Sequence, residues 1–243
     1  MGYNIPKPIM PSKEQLLESA KEWWKIHEKI NFLEWNDILK INSYPFKYFK
    51  ITSDLILDVL NGKNVESVLN IFEEEIYKSG WKNSYFIKLI TRSPKDYLDD
   101  IGFELKSAQE GFDAIFGSLR CFEDLVQLQM LDKCIFIIRP YIDIPKEREF
   151  RVFVEEGKIK GISQYHYTEE YDWIKKNAYI IQYRIENFIS YNVIPNLDLS
   201  SFVADIVVKD GGSCILLELN PYGLSDPCLF KEYKNLDGKF LHL

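Results

Sequence analysis

Residues 202–220, FVADIVVKDGGSCILLELN, constrain the fold more than any other stretch, because two apolar runs flank Asp210-Gly211-Gly212-Ser213. Neighbouring glycines accept the positive φ that tight hairpin turns demand, so the runs read as antiparallel strands. With Gly211 and Gly212 as a two-residue loop, Asp210 pairs with Ser213 and Asp205 falls opposite Glu218. Side chains alternate along a strand, which puts Asn220 on the face of Glu218. Two opposed carboxylates repel unless positive charge lies between them. Mg2+ takes one or two carboxylates and completes its shell with phosphate oxygens, so Asp205, Glu218 and Asn220 form a candidate metal set. A solvated outer face would carry the same alternation, and a one-residue slip would send the acids to the other side.

A second hairpin is expected at 148–165, turning at Glu156-Gly157. That register pairs Glu155 with Lys158 and sets Glu149 opposite Gln164, beside Arg151. A structural Glu–Arg pair would satisfy these polar residues equally well. Lys88 in FIKLI and Arg139 in CIFIIR also interrupt apolar strands. Each alone reads as a snorkelling or strand-end cation. Together, Lys88, Arg139 and Arg151 against Asp205, Glu218 and Asn220 have the balance of a nucleoside triphosphate site: cations for phosphates, oxygens for the metal.

Helices are expected at 12–31, with Ser12 and Gln15 as a capping box and Leu16, Ala20, Trp23, Trp24 and Ile30 as an apolar stripe. Others are expected at 53–61 (opened by Ser53 or Asp54, closed by Asn61-Gly62), at 64–79 before Gly80, at 112–131 and at about 169–190. Strands are expected at 84–91 and 134–139, with a breaker at Arg92–Asp96. Helices first and antiparallel hairpins last give an α+β architecture of two lobes. The expected division is a helical region, 1–83, contributing to the first lobe, then a first lobe at 84–138 and a second at 139–243 carrying the site.

The composition of the 243 residues supports a folded core, with 15% aromatics. A net charge of −7 opposes general binding to nucleic acid or anionic membrane. Cys121, Cys134, Cys214 and Cys228 show no CxxC spacing, which fits a reducing, cytoplasmic setting better than a disulfide framework. The first fifteen residues hold no signal-like apolar run, and Pro6 stands where a myristoylation signal wants Ser or Thr. P-loop, Rossmann and nucleophile-elbow motifs are absent, and His27, His166 and His242 are too scattered for a zinc site or a triad.

Four stretches in order, FIKLITRSPKDY, FIIRPYIDIPKEREFRVFV, KIKGISQYHY and FVADIVVKDGGSCILLELNPYGLSDPCLF, resemble the cell-division-cycle-123 family, an ATP-grasp group, over roughly 84–235. The resemblance implies two lobes whose antiparallel sheets clasp ATP. It implies phosphate contacts for Lys88 and Arg151, and a hinge at Arg139, Pro140, Tyr141 and Ile142 whose backbone reads adenine, with Asp143 near the ribose. It also implies a loop of Ser93, Lys95 and Asp96 over the nucleotide, Gln164 beside it, and Mg2+ on Asp205, Glu218 and Asn220. In eukaryotes the family resembles an assembly factor that binds the γ subunit of translation initiation factor 2. The chain departs from the family pattern in three ways: it stops soon after Phe230-Lys231-Glu232 without the eukaryotic C-terminal extension, it has Glu218 where Asp is usual, and it has Tyr165-His166 where Arg-Asp is usual. Three functions stay open: an ATP- and Mg2+-dependent assembly protein; an ATP-dependent carboxylate–amine ligase working through an acyl phosphate, with Lys88, Arg139 and Arg151 stabilising the transferred group; or a degenerate nucleotide pocket serving only as a scaffold, which the intact acid–amide trio disfavours. Under either of the first two, Asp205→Ala is expected to remove Mg2+-dependent ATP binding with little loss of fold.

Overall fold

Ser12 opens the first helix with the expected reciprocal cap: its Oγ accepts from the Gln15 N–H while Gln15 Oε1 accepts from the Ser12 N–H. This helix, α1 (Lys13–Glu28), buries Ala20 and Trp24, whereas Leu16 stays exposed. The computed structural model describes residues 12–243, so the expectations about the extreme N-terminus and Pro6 lie outside the described residues. After α1 come α2 (Asp37–Ile41), β1 (Lys47–Lys50), α3 (Ser53–Leu60) and α4 (Val65–Ser79). Then follow β2 (Tyr85–Leu89), α5 (Lys95–Ile101), α6 (Ala108–Gly117), α7 (Leu119–Met130) and β3 (Ile135–Pro140). The C-terminal part carries β4 (Glu149–Glu155), β5 (Lys158–Gln164), α8 (Asp172–Phe188), β6 (Phe202–Val208), β7 (Cys214–Asn220) and β8 (Phe240–Leu241).

Three local expectations change. The single helix at 112–131 is two, because Ser118 takes an extended backbone and its Oγ caps α7 by accepting from the Cys121 N–H. Thr52, not Ser53 or Asp54, holds the position before α3, without a side-chain cap. The breaker at Arg92–Asp96 ends by starting α5, since Lys95 and Asp96 already lie inside that helix.

The first sheet runs β1-β3-β2, antiparallel throughout, and one face packs on helices through Phe49, Phe72, Phe112 and Phe136. The second runs β7-β6-β4-β5-β8, antiparallel apart from the short parallel pair of β8 with β5. Its inner face, with Phe150, Val152, Ile162, Ala204 and Ile206, packs on Ile181 and Ile185 of α8. This is the expected α+β arrangement of two lobes.

The described part of the region 1–83 contributes to the first lobe and also to the second. Ile30, Phe32, Trp35 and Leu39 lie in the core of the second lobe, while residues from Phe49 onward lie in that of the first. Strand β3 is the shared wall: Ile138 faces the first core and Ile137 the second.

All four cysteines are buried free thiols, and burial pushes each up to about 12. Ellman's reagent is therefore expected to titrate no thiol in the native protein and all four in denaturant. Reaction of one under native conditions would mean that its element opens on the time scale of labelling.

Candidate functional site

Asp205 and Glu218 do face each other, but by a route the two-residue turn did not anticipate. The loop holds three residues, Asp210–Gly212: the Lys209 N–H donates to Ser213 O (2.9 Å) and the Gly212 N–H to Lys209 O (2.8 Å). Gly212 supplies the required positive φ, +76°. Strand pairing then runs Val208–Cys214, Val207–Ile215 and Ile206–Leu216, a register that would set Asp205 against Leu217. Instead Leu217 bulges out and Asp205 pairs with Glu218. Arg139 pins the bulge, its Nη1 donating to Leu217 O at 2.8 Å. Beyond it, Asn220 sits opposite Val203 on the acid face, with Nδ2 3.1 Å from Asp205 Oδ2 and 3.4 Å from Glu218 Oε1.

Arg151 lies opposite Asp205 across the β4–β6 pair and grips it with two bonds, Nε–Oδ1 at 2.8 Å and Nη2–Oδ2 at 2.9 Å. Asp205 is 1% exposed, and burial lifts its carboxyl above the ordinary value against the pull of Arg151. Arg151 also donates from Nη1 to Asp226 O (3.1 Å), and its guanidinium lies 4.8 Å over the Tyr165 ring. From the other lobe, Lys88 reaches Glu218 Oε2 at 2.5 Å. Burial opposes the charge on Glu218, but Lys88 and then Lys95 outweigh it and hold the carboxyl well below its usual range. The ring of Phe32 braces both first-lobe cations, with Lys88 Nζ at 5.2 Å and the Arg139 guanidinium at 4.7 Å.

Of the Ser93–Asp96 loop, Lys95 alone is turned to the site, where its Nζ donates to the Tyr165 hydroxyl. Asp96 points the other way: Oδ1 accepts from Ser118 Oγ (2.5 Å) and Oδ2 from the Arg120 N–H (3.2 Å) at the start of α7. Its place is to anchor the loop from behind. Ser93 is buried, and its carbonyl accepts from the Lys95 N–H.

Gln164 is not brought to the site, and its expected pairing with Glu149 is corrected. The turn pairs Glu155 with Lys158 as expected, but Lys160 then bulges from β5, so Gln164 lies opposite Phe150 on the core face. There its Nε2 donates to His166 O and Glu169 O, and its Oε1 accepts from the Leu243 N–H. Arg139 is a strut rather than an open cation. Besides Leu217 O, it donates to Ser43 Oγ (2.7 Å) and Tyr44 O (3.3 Å), and burial lowers it to about 10. Its Nε has no partner among the described residues. Pro140 closes β3 and the Tyr141 N–H donates to Ser84 O (3.3 Å). Ile142 and Asp143 line a cleft of about 470 Å³ with Tyr44, Arg148, Val207 and Lys209.

Sequence reasoning missed Tyr165 as a site residue; its one signal was standing where the family pattern has Arg. It also missed two flanking contacts, Glu149 with His166 (3.2 Å) and Tyr167 with Asp226 (2.8 Å). Among the described residues no three His, Cys, Asp or Glu side chains cluster as a metal site. Two carboxylates and an amide are nevertheless a hard-oxygen set for Mg2+, which habitually keeps waters and phosphate oxygens in its shell.

A family model described as D123 matches residues 82–239, more than half of the chain. The chain belongs to the D123 family. D123 relatives include the translation initiation factor eIF2 assembly protein of Xenopus laevis, 29% identical over 174 residues, or 68% of this chain and 50% of that one. The protein of that name from Kluyveromyces lactis is 39% identical over 101 residues, 39% of this chain and 26% of its own. The chain thus spans half or less of the length of these curated relatives. In fold it is similar to Cdc123 from Schizosaccharomyces pombe, with a TM-score of 0.72 at 17% identity over 89% of this chain and 96% of that one. No helix among the described residues of this D123 member is long and apolar enough to cross a membrane.

Proposed function

We propose that this D123 chain binds ATP with Mg2+ between its lobes, and that the lobes so joined present a surface on which a γ-type subunit of translation initiation factor 2 is assembled. One observation carries the reading: buried charges of opposite sign meet where the lobes join, Lys88 of the first lobe on Glu218 of the second and, within the second, Arg151 on Asp205, with Asn220 bridging both acids. The acids and bases neutralise each other within the chain. A metal–triphosphate carries both signs and offers each group a new partner, so the exchange keeps every buried charge compensated. Asp205, Glu218 and the Asn220 carbonyl would hold Mg2+, which supplies charge neutralisation of the phosphate oxygens it bridges. Arg151 and Lys88 would face the phosphates, and the Pro140–Asp143 segment with its cleft would take the base and ribose. Arg139 keeps the Leu217 bulge, and with it Glu218, in register. The names of the D123 relatives support assembly as the output.

Calorimetric titration with ATP, with and without Mg2+, tests this. Wild type is expected to bind with Mg2+ and Glu218→Gln to lose at least tenfold in affinity, on the order of one charge-assisted contact. Equal affinity of Glu218→Gln and wild type both with and without Mg2+ would remove the metal assignment. ATP-dependent capture of the isolated γ subunit supports assembly, whereas ADP release driven by an added carboxylate and amine would make the chain a ligase.

A further inference from the structure

Tyr165 carries an unspent hydrogen-bond donor at the meeting point of the lobes. A phenol accepts and donates. Here the oxygen accepts from Lys95 Nζ, and among the described residues no acceptor takes the Tyr165 proton. The ring is fixed, flanked by the Arg151 guanidinium at 4.8 Å and the Lys95 ammonium at 4.6 Å. Among the described residues Lys95 itself has Tyr165 as its one side-chain partner, although an ammonium offers three donors. It stays charged: burial opposes this, but Tyr165, Glu218, Glu149 and Asp205 raise it above the ordinary lysine range. Two side chains from different lobes therefore aim spare donors at one place, beside the Asp205–Glu218 pair. A group that satisfies an O–H and ammonium N–H donors together, next to two carboxylates that would hold a metal, is a terminal oxyanion.

We propose that Tyr165, together with Lys95, binds the terminal phosphate of the nucleotide, so that this chain distinguishes a triphosphate from a diphosphate through the phenol O–H. The inference rests on the nucleotide reading above and adds to it a residue at which this chain departs from the family pattern. It assigns Tyr165 a role in discrimination as well as in the packing of Arg151.

Titration of Mg2+–ATP and Mg2+–ADP into wild type and Tyr165→Phe separates the two roles. The variant keeps the ring under Arg151 and removes only the hydroxyl. ATP affinity is expected to fall about tenfold, as for loss of one hydrogen bond to a charged group, with ADP affinity within about twofold. Lys95→Gln is expected to give the same ATP-selective loss, and unchanged thermal unfolding of Tyr165→Phe would show that the fold is intact. Equal losses for both nucleotides, or no loss in Tyr165→Phe, would overturn the proposal while leaving the nucleotide reading in place. Failure of wild type to bind either nucleotide would overturn both.

Discussion

Asp205→Ala is expected to destabilise the protein by about 3–5 kcal/mol, the cost of leaving one partner of a buried ion pair uncompensated. Arg151 and Asp205 are 6% and 1% exposed, and the two bonds between them occupy both carboxylate oxygens. Alanine leaves a guanidinium that cannot shed its proton and that no longer has a carboxylate partner, keeping the neutral Asp226 O. For a chain of this length the midpoint of thermal unfolding should fall by roughly 6–20 °C. The buried pair thus argues against the sequence-based expectation that this change would spare the fold, and lost ATP binding in Asp205→Ala cannot be read as loss of a metal ligand alone. A double variant, Arg151→Met with Asp205→Leu, removes both charges and should recover most of the loss in urea unfolding. Stability of Asp205→Ala within 1 kcal/mol of wild type would show that the pair is not compensating a buried charge.

The same residues show how far the sequence could be read. Asp205 and Glu218 were paired correctly because two errors of one residue cancel: the loop is one residue longer than Gly211-Gly212, and Leu217 bulges to restore the register. No local signal marks that bulge. What holds it is distant in sequence: Arg139, 78 residues away, reaches across the lobe joint to the Leu217 carbonyl. Gln164 failed for the complementary reason: Lys160 also bulges, and nothing there cancels it. Periodicity identifies strands and faces well where the ladder is regular, and a single unpaired residue inverts every assignment beyond it. Asp96 was misread differently. Its type and spacing suit a ligand loop, but its carboxylate caps α7, whose start at Ser118 lay inside what the sequence presented as one continuous helix. The apolar residues between Ile30 and Leu39 gave no hint that they belong to the second lobe, because hydrophobicity specifies burial and not the partner.

Lys88→Met should lower stability by about 3 kcal/mol at neutral pH, and the deficit should shrink in acid. Lys88 is 4% exposed and its ammonium is the closest charge to Glu218. Glu218 is held below its ordinary 4.5 in the folded protein, so its pairing stabilises the fold fully above that pH. The contribution fades as pH falls through the lowered folded value. In Lys88→Met the carboxylate keeps the Asn220 amide but no cation in direct contact, with Lys95 as the next positive charge, and protonation relieves it. Urea unfolding of wild type and variant at pH 7, 5 and 4 should therefore show curves that converge towards acid. Lys88→Met combined with Glu218→Gln should be more stable than Lys88→Met alone at pH 7, with the advantage lost at low pH. A deficit independent of pH would mean that Lys88 contributes through its ammonium over the Phe32 ring and not through its pairing with Glu218. Because Lys88 and Glu218 come from different lobes, the same cycle measures how strongly this pair holds the lobes together. An ATP phosphate that takes over Lys88 must compete against that attraction, so nucleotide affinity in Glu218→Gln reflects two opposed changes, a lost metal ligand and a released lysine. Titrating the variant with ATP in the absence of Mg2+ isolates the second: affinity there should rise above that of wild type, since Lys88 no longer has a carboxylate to leave.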